Sequence, residues 1–116
     1  MEVQSSREQF WNRTGYQRDY PDGHHEWTVN LLNLDSDLLH PSNEGKPAHQ
    51  IPPAAFPTTV RWRIPDGVSA ESVRAFVMHA EDASLQALEL RPSVEGGAVV
   101  CQIPPIPSWS MLLIRY

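Results

Sequence analysis

Apolar and polar residues alternate with a period of two through much of the chain. Val60, Trp62 and Ile64 interleave with Thr59, Arg61 and Arg63, which predicts a half-buried strand over residues 58–64. Trp27, Val29 and Leu31 likewise share one face of a strand over 27–34, bounded by the polar cluster Asp35, Ser36, Asp37. Further strands are predicted over 72–79, over 85–91 beyond the polar break at Glu81 and Asp82, and over 98–103. Glu95, Gly96 and Gly97 form a hairpin turn that should join the 85–91 strand to 98–103. Pro104, Pro105 and Pro107 then end the pairing, because proline cannot donate to a ladder. They release a last strand over 109–116, in which Trp109, Met111, Leu112, Leu113 and Ile114 are expected to close the core.

The N-terminal part reads differently. Ser5 with Glu8 and Ser6 with Gln9 have capping-box spacing, and Phe10, Trp11 and a terminating Gly15 follow, so a short N-terminal helix is expected. Tyr20, Pro21, Asp22 and Gly23 make a turn within an entry loop over 16–26. Pro41, Pro47, Pro52, Pro53 and Pro57 mark residues 38–57 as a long surface loop. The fold class is therefore all-β: an antiparallel, immunoglobulin-like β-sandwich of about six strands, residues 27–116, preceded by a helix and entry loop, residues 1–26.

A chain of 116 residues forms one domain with one core. Nine basic against 14 acidic residues, with no run of like charge, argue against nucleic acid or an anionic membrane surface as partner. The single cysteine, Cys101, lies in an apolar run and is expected to be a buried, inert thiol. No apolar stretch approaches the ~20 residues needed to span a bilayer, and residues 1–10 lack the apolar segment of a signal peptide, so a soluble chain is expected.

Phosphate-binding glycine loops, metal-binding pairs of cysteine or histidine and nucleophile-elbow patterns are missing. Asp19, Asp22 and Glu26 lie close to His24 and His25, but carboxylates in such a loop are usually solvated, and nothing in the spacing makes them face each other. His24, His25, His40, His49 and His79 lack ligand spacing. Neither a catalytic constellation, nor a metal site, nor a cofactor is therefore expected. Trp27 and Trp62 alternate with aliphatic residues and belong to the core, whereas Phe10, Trp11, Tyr16 and Tyr20 lie outside the predicted strands. Those four are the candidate contacts, either for a partner domain or for sugar rings stacking on their faces. Asn30 and Asn33, inside an apolar strand, are expected to tie a loop to the sheet.

The strand over 27–34 resembles the one that opens the C-terminal β-sandwich of many bacterial glycoside hydrolases, with Asn30 where that strand often carries histidine. The order that follows is similar too: a proline-containing loop at 52–57, strands at 60–67 and 73–77, a hairpin over 88–103 and a closing segment at 104–114. The resemblance covers residues 27–116 and is nearest to the end domains of dextranase-like and β-galactosidase-like multidomain enzymes. It implies a noncatalytic accessory domain that packs on a (β/α)-barrel holding the catalytic carboxylates. A carbohydrate-binding module that targets an enzyme to polysaccharide is the alternative.

Overall fold

The computed structural model describes residues 1–5, 10–11, 15–33, 57–80, 82, 84, 86–106 and 108–116. Among them run ten strands: β1 (Glu2–Ser5), β2 (Phe10–Trp11), β3 (Tyr16–Asp19), β4 (His25–Leu32), β5 (Thr58–Arg63), β6 (Arg74–His79), β7 (Leu88–Leu90), β8 (Ser93–Glu95), β9 (Ala98–Ile103) and β10 (Trp109–Arg115). One sheet has the order β1-β5-β9-β8; the other has the order β2-β4-β10-β6-β7, with β3 also paired to β4. All pairings are antiparallel. The all-β, two-sheet expectation holds. The long loop expected over 38–57 lies, except for Pro57, outside the described residues.

Where the N-terminal helix was expected, the described residues Ser5, Phe10 and Trp11 lie in strands. Ser5 pairs with Thr58 in β1, and Phe10 and Trp11 pair with Leu32 and Leu31 in β2. Capping-box spacing is a local signal, and here the backbone hydrogen bonds go to distant strands instead, a tertiary preference that outweighs a short helix of marginal stability. Gly15, expected to terminate that helix, provides space: a Cβ there would lie 2.2 Å from the Trp27 indole. The only helical turn described is the 3₁₀ segment Ala70–Ser72.

The core forms where the inward faces of the two sheets meet. Val29, Leu31, Val60, Val77, Val99, Cys101, Leu112 and Ile114 are fully buried, with Trp62 and Ile103 nearly so. Trp62 packs near Trp27 and Tyr116, at ring-centroid distances of 6.2 and 5.2 Å. Burial pushes the Cys101 thiol up to about 11, as expected for an inert cysteine. In β9, Ala98 and Val100 are buried although they point away from the core. On that face the Arg61 side chain, bonded to both the carboxylate and the carbonyl of Glu95, reaches across β9 from β5 to β8.

Turns follow the glycine and proline signals. Gly96 and Gly97, with φ of 55° and 75°, close the β8–β9 hairpin. The strand that this hairpin joins to β9 is β8, not the 85–91 segment: β7 lies in the other sheet, and Arg91 and Pro92 carry the chain between the two. Asn33, 4% exposed, donates through Nδ2 to the Ile106 carbonyl at 2.9 Å, and its backbone N–H donates to the Ser108 carbonyl at 2.7 Å. It thereby fastens the proline-rich segment to the end of β4, the loop-tying role expected of a buried amide.

Candidate functional site

β10 carries apolar residues at nearly every position, so its two faces must be separated by register. Ser110, Leu112 and Ile114 point inward and are buried; Trp109, Met111 and Leu113 point outward. This corrects the expectation that Trp109, Met111 and Leu113 close the core. The period of two wins, and the outward set joins neighbours across the six-stranded sheet. Leu113 stands opposite Thr28 of β4 and Phe76 of β6, Met111 opposite Asn30 and Met78, and Trp109 opposite Leu32. Tyr16 continues the Leu113 row beyond Thr28. Phe76, Met78, Met111, Leu113 and Leu32 are half-buried, Trp109 is 46% exposed and Tyr16 60%.

The outward face of a sandwich sheet normally alternates toward polar residues, so this apolar strip is the departure that asks for an explanation. The opposite outer face is polar: Gln4, Thr59 and Gln102 form one cross-strand row, with Thr59 Oγ1 donating to Gln102 Oε1 at 2.9 Å. A hollow of about 470 Å³ next to that row is lined by Glu2, Arg61, Arg63, Asp66 and the Gly96–Gly97 turn, among others.

At one end of the apolar strip lies a charged row. Arg115 donates to Glu26 Oε1 at 2.5 Å, and Arg74 forms a forked pair with Glu89 at 2.9 and 3.0 Å. Each carboxylate is held below its usual range: Glu26 by the hydrogen bonds from Tyr20 and Arg115, Glu89 by that from Arg74. At the other end, Met78, His79, Ala80, Trp109 and Met111 line an open apolar hollow of about 220 Å³. The Trp109 indole N–H donates to Asn30 Oδ1 at 3.1 Å, and His79 Nδ1 lies 2.5 Å from Ser110 Oγ.

The residues singled out for chemistry sort as follows. Asp19, Asp22, His24 and His25 come together at the β3–β4 hairpin, but as two separate pairs, Asp19 with His25 and Asp22 with His24. Gln17 and then His25 lower the Asp19 carboxyl, while the His24 backbone N–H does most to lower Asp22. Tyr20 donates to Glu26 at 2.7 Å and stacks on His24, ring centroids 4.1 Å apart. That bond raises the Tyr20 phenol. Among the described residues no group of three or more His, Cys, Asp or Glu side chains could hold a metal ion. His40 and His49 lie outside the described residues. Of the candidate contacts, Tyr16 is on the apolar face, Tyr20 is half-buried in its own hairpin, and Phe10 and Trp11 occupy the sheet edge opposite Leu32 and Leu31. Reading the sequence by alternation missed Trp109, Met111, Phe76 and Met78 as surface residues.

No protein-family model matches the chain, and no curated protein matches it significantly. Among solved structures it is similar to a Paenibacillus sp. cycloisomaltooligosaccharide glucanotransferase crystallised with cycloisomaltoheptaose, at 13% identity and a TM-score of 0.52. The match covers 96% of this chain and 17% of that one. The likeness is one of fold: a two-sheet domain of this kind occurs as a small part of a much longer enzyme chain.

Proposed function

We propose that this chain is a noncatalytic β-sandwich accessory domain of a bacterial glycoside hydrolase, and that it works by packing on a catalytic barrel domain. The observation that carries this reading is the apolar outer face of the six-stranded sheet, where Leu113 and Met111 of β10 stand opposite Phe76 and Met78 of β6, and Trp109 opposite Leu32 of β4. An apolar strip that spans several strands is stabilised by removing it from water at roughly 25 cal/mol per Å², which a second folded surface accomplishes and an isolated sandwich does not. The similarity to a stretch of a glucanotransferase agrees with such a setting. Tyr16, opposite Thr28, and by register Phe10, opposite Leu32, continue this outward face along the β2–β3 edge, whereas Trp11 stands opposite the inward-facing Leu31 and Tyr20 lies in the adjoining hairpin.

Co-expression with a glycoside hydrolase (β/α)-barrel domain taken from the same genome tests this. A stable complex is expected from the wild-type chain, and Leu113→Glu should prevent it, because the carboxylate would be buried without a partner. Copurification unaffected by Leu113→Glu would contradict the reading. In the carbohydrate-binding alternative, isomaltooligosaccharides would instead change the tryptophan fluorescence saturably in the absence of any partner.

A further inference from the structure

The hollow on the polar outer face of the four-stranded sheet differs in kind from the apolar strip. Its volume, about 470 Å³, falls in the range of roughly 300–1,000 Å³ typical of small-molecule sites. Register brings its lining together. Glu2 of β1 stands opposite Arg61 of β5, Arg63 stands opposite Ala98 of β9, and residues two apart on a strand share a face. Asp66 and the Gly96–Gly97 turn complete this end, and a Cβ built at Gly97 would meet no atom within 4 Å, so the space above the turn is open. We propose that this hollow binds a neutral polyhydroxyl ligand, a sugar ring of a short oligosaccharide, with Arg63 as its principal contact. The site lies on the face opposite the apolar strip and does not rest on the docking reading.

The chemistry of the lining selects the ligand class. Arg61 and Arg63 are donors only, while the carboxylates of Glu2 and Asp66 are acceptors only. An anion entering the hollow meets two carboxylates and a cation meets two guanidiniums. A hydroxyl donates to the one and accepts from the other, and its bonds to these charged groups are stronger than those between neutral partners. Arg61 is already oriented, because Nη1 donates to Glu95 Oε2 at 3.2 Å and Nη2 to the Glu95 carbonyl at 2.9 Å, so it gives up little freedom on binding. Arg63, Glu2 and Asp66 are exposed and make no side-chain hydrogen bond or ion pair among the described residues, which leaves their full capacity for a ligand. Ile64 and Ala98 supply apolar carbon for the C–H groups of a ring. Two residues further along the same face, roughly 6–7 Å away, the row of Gln4, Thr59 and Gln102 offers uncharged amides and a hydroxyl, a continuation suited to a second ring.

The test is an NMR titration of the whole chain at neutral pH with maltotriose, cellotriose and isomaltotriose, three neutral trisaccharides of different linkage. Inorganic phosphate and glycine serve as the anionic and zwitterionic controls. The backbone amides of Gly96, Gly97 and Ala98 and the Arg63 Nε–H should shift saturably in the millimolar range with at least one trisaccharide and stay unmoved by both controls. Arg63→Ala, at an exposed position whose loss leaves the amide spectrum otherwise unchanged, should weaken that binding about tenfold, the loss of one charge-assisted hydrogen bond. Arg63→Gln, which keeps an uncharged donor, should recover part of it. Absence of shifts with all three trisaccharides would overturn the inference. Saturable shifts with phosphate or glycine alone would replace the ligand class with an anion or a zwitterion, and binding undiminished in Arg63→Ala would place the saccharide elsewhere on the chain.

Discussion

Leu112 and Leu113 are neighbours in β10 with opposite surroundings, and substituting each in turn measures which face of the sheet is the core. Leu112 is fully buried between Val29 of β4 and Val77 of β6, both also fully buried. Leu112→Ala removes buried methyl groups and leaves a cavity in the central strand of its sheet, where relaxation is limited, and such changes cost about 2–5 kcal/mol. Against a total stability on the order of 5–15 kcal/mol, that is a large fraction. With a urea m-value of roughly 1.5 kcal/mol/M, a loss of about 3 kcal/mol lowers the midpoint by about 2 M. Leu113, half-buried between Thr28 and Phe76 on the outer face, loses only part of its contact when truncated, and Leu113→Ala should cost under about 1 kcal/mol. Urea unfolding followed by tryptophan fluorescence reads both variants. Equal losses, or a larger loss from Leu113→Ala, would refute the assignment of inner and outer faces and with it the apolar docking strip.

Other outcomes follow from the same geometry. Deleting Met111–Tyr116 removes the strand that pairs with both β4 and β6, so cooperative urea unfolding should disappear. Gly15→Ala should cost about 1–3 kcal/mol by overpacking against the Trp27 indole, and thermal denaturation with intrinsic fluorescence checks it. The folded carboxyls of Asp19 and Asp22 lie below their ordinary value of 3.8, so the stability they contribute is present above that value and is lost as pH falls through the folded pKa values. Asp19→Asn should flatten the fall in urea midpoint below about pH 4 and change little at pH 7. Cys101 should resist thiol reagents at pH 8 in the native state and react fully in urea.

Much of the sandwich was legible because its strands alternate. β5, which puts Val60 and Trp62 inward, could be placed from the period of two alone. Two features obscured the rest. The N-terminal residues satisfy a local helix rule, while their pairing partners Thr58 and Leu32 lie far along the chain, beyond the reach of any local pattern. In β10 the outer face is as apolar as the inner one, so hydrophobicity could not tell Trp109, Met111 and Leu113 from Leu112 and Ile114. The buried Ser110 shows that register, and not residue type, sets the inward face. The residue pattern that misled the reading of the core is thus the one that marks the candidate docking surface. The switch between β7 and β8 was hidden for a related reason: both segments carry strand formers, and only Pro92 signals that the ladder stops and the chain changes sheets.

Oxidative footprinting of the chain, alone and mixed with the proposed barrel-domain partner, tests the central claim most directly. Trp109, Met111 and Met78 should be labelled readily in the free chain and strongly protected in the mixture, while residues on the opposite outer face, such as Arg63 and Gln102, keep their reactivity. Protection confined to that polar face or to the β3–β4 hairpin, with Trp109 and Met111 still labelled, would contradict it.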